Sequence, residues 1–141
     1  MERKDPYLTF SFLVEIEGVT VAGFSEVSGI QLEVETEEYH EGGINDFAHH
    51  LTKTARYPNL SLKRGLVDSS VLWEWQSEVS QGRVQTRNIH IVLLDEARDE
   101  KWRWRCLQAY PVKWIGPDFR ASDANASIES LELVHKGLEK Y

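Results

Sequence analysis

The chain contains one cysteine, Cys106, so no disulfide can close within it, and cysteine usage leaves the redox compartment open. No apolar run approaches the roughly 20 residues that a membrane-crossing helix needs, so membrane insertion by a helix is not expected. The N-terminal MERKDPY has no apolar segment of the signal-peptide kind. The expectation is cytoplasmic synthesis, with any export by a route that needs no signal peptide. Positive charge is scarce: 16 Lys and Arg against 23 Asp and Glu leave a formal charge of −7. That sign opposes a phosphate backbone and argues against general nucleic-acid affinity. The sequence has no GxSxG, P-loop, HExxH, CxxC or dinucleotide fingerprint. No catalytic residue, cofactor or metal is therefore assigned, and an enzyme is disfavoured. No linker, repeat or low-complexity tract divides the 141 residues. A single domain over 1–141 is expected, large enough to bury about two-thirds of its unfolded surface.

What the chain does have is alternation. Leu8, Phe10, Phe12, Val14 and Ile16 occupy every second position, and Glu17-Gly18 then makes a turn toward Val19–Ala22 as a hairpin partner. Gly23 and Gly29 flank FSEVS, where a bend or bulge is expected. In the next run, from about Ile30 to Tyr39, Ile30, Leu32 and Val34 alternate with Glu33, Glu35 and Glu37. Residues 40–57 show neither period and read as a long loop, of the kind that is commonly functional. A strand over Asn59–Arg64 comes next. Asp68 then caps a helix over Ser69–Ser80 that gathers Val71, Leu72, Trp75 and Val79 on one face and ends at Gly82, with Trp73 on the far side. Asn88–Leu94 is apolar on both faces, as for a central strand. In Lys101–Ala109, Trp102, Trp104 and Cys106 alternate with Lys101, Arg103 and Arg105, and Pro111 and Pro117 confine VKWIG to an edge or short pieces. A last strand spans Ala126–His135. These segments predict a mainly β barrel or sandwich with one packed helix.

The chemically suggestive residues all have plainer readings. Carboxylates spaced along one strand, such as Glu33, Glu35 and Glu37, do not converge on one cation. A solvated face and a surface that repels anionic cargo both remain open. His40, His49 and His50 near Asp46 share no strand or helix spacing that would align them on zinc, and read as surface histidines. Cys106 has no activating partner in view and reads as a small buried apolar residue. The KWRWR run places its tryptophans on one side and its basic residues on the other, so it is a core-facing row with an outer basic row rather than a nucleic-acid platform.

In order along the chain, DPYLTFSFLVEIEG, AGFSEVSGI with its acidic strand, EYHEGGIN, YPNLSLKRG, the LWEW helix, IHIVLLDE, AYPVKWIGPD and SIESLELVHKGLE resemble the tail-tube protein family of contractile phage tails and extracellular contractile injection systems. One departure is NDFAHHLTKTARY, which stands where the family has a basic segment containing proline or glycine. The resemblance implies two packed antiparallel sheets in a barrel-like body flanked by a helix, similar to the type VI secretion tube protein. It also implies six copies in a ring and rings stacked into a hollow tube within a contractile sheath. Implied partners are the sheath protein, spike and baseplate proteins, and protein cargo or DNA passing through the lumen. The implied location is a phage tail or extracellular particle. On this reading Gly42, Gly43, Asn45, Phe47, His49, His50, Lys53 and Arg56 form an inter-ring loop. Glu33, Glu35 and Glu37 face the lumen, and Trp73, Arg103 and Arg105 meet a neighbouring subunit or the sheath. A baseplate-proximal tube initiator, or a stand-alone β-sandwich binding module using Trp73 and Trp114, are the alternatives.

Overall fold

The computed structural model of the chain describes residues 11–19, 21, 23–40, 48–122 and 126–141. Among these, the elements in chain order are β1 (Phe12–Ile16), β2 (Phe24–Ser28), β3 (Glu33–His40), β4 (Ala48–Arg56), β5 (Leu60–Gly65), α1 (Val71–Ser80), β6 (Arg87–Leu94), β7 (Glu100–Ile115), β8 (Ile128–Val134) and β9 (Gly137–Lys140). The body strands run β1-β6-β7-β8-β5-β2, with β9 also on β7, and all of these pairs are antiparallel. This is the mainly β body with one flanking helix that the sequence predicts.

Alternation decides which side chains form the core. Val14 and Ile16 of β1 oppose Ile91 and Ile89 of β6, and these in turn oppose Trp104 and Cys106 of β7. From the other half come Leu60 and Leu62, directly opposite Leu133 and Leu131. Leu72 and Trp75 of α1 complete the cluster, and the Trp75 indole N–H donates to the Gln85 carbonyl at 2.9 Å. The same inward row of β5 and β8 ends in charge. Arg64 lies opposite Glu129, its Nε donates to Glu129 Oε1 at 2.7 Å, and both side chains are almost fully buried. Arg64 Nη2 also reaches the Ser69 carbonyl at 3.3 Å, tying the strand end to the approach of α1.

β7 serves both halves. Through residue 109 it pairs with β6, and from Tyr110 it pairs with β8. The changeover falls at Gln108, whose φ of 49° is left-handed and whose backbone N–H is taken by Asn88 Oδ1 at 3.0 Å. From Tyr110 onward β7 pairs with β8 alone among the described residues, so the VKWI stretch lies along an edge, as the prolines predict. Pro111 is buried inside a continuous strand, beside a register shift between Pro111 and Lys113 that relaxes the demand for its missing N–H.

Other boundaries also move. Ser70, not Asp68, occupies the N-cap position, and its hydroxyl bonds Glu74 rather than a backbone amide. Val19 makes a single bridge to Ile16, while β6 is the true partner of β1. FSEVS is itself a strand, with the expected bulge between Phe24 and Glu26. The long-loop reading of residues 40–57 fails over Ala48–Arg56, which is β4. Strand β9 lies beyond the last strand expected.

Two consequences are measurable. Glu129→Gln or Arg64→Met strands one buried charge and is expected to cost about 3–5 kcal/mol in urea unfolding, while the paired apolar replacement restores most of it. At Gly29, φ is +93° and an added Cβ would lie 2.1 Å from the Asn59 carbonyl oxygen. Gly29→Ala should therefore destabilise by at least ~1–3 kcal/mol, read from thermal unfolding followed by circular dichroism.

Candidate assembly surfaces

Among the described residues, β3 and β4 pair only with each other, through Glu33 opposite Arg56, Val34 opposite Ala55 and on to His40 opposite Ala48. By backbone pairing β4 joins no strand of the body among the described residues. Glu33 and Glu35 are exposed rather than packed against the body. The apolar residues between them are no better covered, with Leu32 61% and Val34 54% exposed. Arg56 is exposed at the end of β4. By backbone position Glu37 lies on β3, and His49, His50 and Lys53 lie on β4. Gly42, Gly43, Asn45 and Phe47 lie outside the described residues.

The outer face of β1, β6, β7 and β9 carries a row of facing charged and polar side chains. Glu15, His90, Arg105 and Glu139 stand directly opposite one another across the four strands. His90 Nε2 lies 2.8 Å from Glu17 Oε1, and this hydrogen bond holds the Glu17 carboxyl below its usual range. Arg105 Nη2 donates to Glu139 at 2.6 Å, which raises the Arg105 pKa further. Arg103 pairs with Glu100 and lies 3.6 Å from Glu15. The basic row expected on this face is real, but its members are already matched within the chain. On the inward side, Trp104 packs against the core and Trp102 stacks on it at 5.2 Å, with Lys140 Nζ 4.6 Å above the Trp102 ring.

Trp73 is half exposed on the far side of α1 and meets Trp114 edge to face at 5.0 Å. The two aromatics that a binding module would use are thus brought together, but as a perpendicular pair in which Trp114 packs against the core, not as a flat platform. Phe119, at 85% exposure the most open large apolar side chain among those described, is not among the residues expected from sequence. Its signal is a lone aromatic within the turn-rich GPDFRASD.

The chain matches the model of the family described as T4-like virus tail tube protein gp19 over residues 8–139. It belongs to that family. Similar solved structures agree. A chain of the anti-feeding prophage baseplate is 26% identical, with a TM-score of 0.87, covering 99% of this chain and 97% of that one. A chain of the extracellular contractile injection system PVC sheath-tube complex in its extended state is 21% identical at a TM-score of 0.86, covering 96% and 91%. Hcp1 from Flavobacterium johnsoniae shares the fold at a TM-score of 0.61 and 13% identity, covering 92% and 93%. A search of curated proteins found no match.

Tail tube proteins are structural, and the lone thiol here fits a packing role. Cys106 is fully buried, and burial raises its pKa from 9.0 to about 11. A thiol that is harder to ionise when folded stabilises the fold fully below its unfolded pKa, and that stabilisation is lost as pH rises through about 11. Between pH 9 and 11 the tail tube protein should lose roughly 2–3 kcal/mol of unfolding free energy relative to Cys106→Ala. Parallel urea titrations of the two proteins check this; superimposable pH profiles would contradict it.

Proposed function

We propose that this chain is the inner-tube subunit of a contractile phage tail or extracellular injection particle. Six copies close into a ring, and rings stack into a passive conduit inside the sheath. The subunit is made in the cytoplasm and joined at one end to spike and baseplate proteins, and it passes protein cargo or DNA without a catalytic step. The observation that carries this reading is the combination of the family match with a subunit that leaves pairing surfaces open. Strands β1 and β2 end the body sheet, and β3 and β4 pair only with each other among the described residues. Such edges are an aggregation liability in a monomer and a template in a ring.

Within this reading, the β3–β4 hairpin and the Gly42-Gly43 segment connect adjacent rings, drawing on Asn45, Phe47, His49, His50, Lys53 and Arg56. Glu33, Glu35 and Glu37 give the lumen an acidic wall to which anionic cargo does not adhere. Trp73 anchors the outer contact with the sheath or a neighbouring subunit, as half-exposed tryptophans do at interface centres. Arg103 and Arg105, already ion-paired, present a charge-balanced ladder there. A tube initiator beside the baseplate is the second reading, favoured by the likeness to an anti-feeding prophage baseplate chain.

Electron microscopy of the purified protein at rising concentration tests these readings. Stacked sixfold rings are expected for the tube, rings that never stack point to the initiator, and a monomer at every concentration overturns both.

A further inference from the structure

The inward row of β8 continues one step past the strand. Glu129, Leu131 and Leu133 are buried on that face, and His135 follows them, itself only 9% exposed. Its ring lies between two backbone carbonyls. Nδ1 is 2.9 Å from the oxygen of Gly137, the first residue of β9, and Nε2 is 3.2 Å from the oxygen of Pro58. The Tyr57 ring stands beside the imidazole, with centroids 5.6 Å apart. Tyr57 and Pro58 link β4 to β5, so His135 holds the point where the β3–β4 hairpin joins the body.

A carbonyl oxygen only accepts, whereas a neutral imidazole offers one N–H and one lone pair. Neutral His135 therefore bonds one carbonyl and turns a lone pair toward the other, a costly arrangement away from water. The imidazolium donates to both. Burying a charge is costly unless it is hydrogen-bonded, and here both donors are used. Charged neighbours do not take over either role. Burial alternates without a break from Glu129 to Gly137, which puts Glu132 and Lys136 on the opposite side of the chain. Glu129 is held by Arg64, and Glu139 of β9 is held by Arg105. Tyr57 is the titratable side chain packed on the ring, and Tyr110 of β7 stands opposite Val134. We propose that His135 is a proton-operated clamp on the root of the β3–β4 hairpin: doubly protonated it fastens Pro58 to Gly137, and neutral it releases Pro58. The contact that opens is the longer one, to a residue 77 positions away, while Nδ1–H keeps its bond to Gly137 two residues on. The clamp is closed in acid and loosens as pH rises through the histidine range, between about 5 and 8. It belongs to the single chain and does not depend on the tube reading.

The test is hydrogen–deuterium exchange of the full chain, kept too dilute to assemble, at about pH 5.5 and about pH 8. Protection factors divide out the intrinsic dependence of exchange on pH. Amides of the hairpin root, residues 54–60, should be about fivefold or more better protected at the lower pH, the worth of one hydrogen bond to a charged group. Those of Ile89–Val92 in β6 should not change. His135→Gln, which takes up no proton, should abolish the difference at the root. The triple variant His40→Gln, His49→Gln, His50→Gln, which removes the histidines of the hairpin itself, should keep it. If circular dichroism shows His135→Gln unfolded, nitrogen-15 spectra of the histidine-labelled native chain decide. The ring with a through-space contact to Tyr57 should show two slowly exchanging N–H protons at the lower pH and Nδ1–H alone at the higher. Equal protection at both pH values, a difference that survives His135→Gln or vanishes in the triple variant, or one ring N–H throughout overturns the clamp.

Discussion

At Gln108 the longest strand leaves one half of the sheet and enters the other, and the placement of nearly every other element depends on that turn. A left-handed backbone costs a non-glycine residue about 1–2 kcal/mol, so the bend persists only because its surroundings compensate. Asn88 accepts the amide that the bulge would orphan, and Cys106 and Ala109, both fully buried and both small, let the two halves close on either side. Upstream of the bend β7 carries β6 and β9, and downstream it carries β8, which in turn carries β5 and β2. Helix α1 lies against β7 and inserts Leu72 and Trp75 into the core that the bend creates. A straight β7 would give a flat sheet with no interior.

The Arg64–Glu129 pair is a second constraint of a different kind. Buried ion pairs contribute little net stability against apolar packing, but they penalise misalignment heavily. Here the two charges sit in register across β5 and β8, one pair along from the leucines. A slip of that pairing would strand both charges in the core at once. The contact with the Ser69 carbonyl extends the constraint to the segment leading into α1. The pair therefore acts on which pairing forms more than on how tightly it holds.

The elements legible in the sequence are those with one half-buried face. β1, β5, β8 and the core face of α1 can be read because Val14, Leu60, Leu62, Leu72, Leu131 and their neighbours must be dry while the residues between them need not be, and β6 is read by contrast from a run that is dry on both faces, at Ile89, Ile91, Val92 and Leu94. β4 is illegible because AHHLTKTAR shows no alternation of apolar and polar residues from which a strand could be read. The bend at Gln108 leaves no trace either, since glutamine is not a residue from which φ > 0 is inferred, and its partner Asn88 lies 20 residues away. Pro111 is read correctly as an edge signal, because from Tyr110 onward β7 has only β8 beside it among the described residues. Of the proposed site, the exposed carboxylates Glu33 and Glu35 are legible in kind, while the internal partners of Arg103 and Arg105 require the strand order to be known.

Alternation along β3 separates Leu32 and Val34 from Glu33 and Glu35, but it does not say which set faces water. In an isolated domain the apolar set should turn inward, and here it does not. Burial is favourable but not obligatory for two aliphatic residues, so period alone locates the faces of such a strand without orienting them.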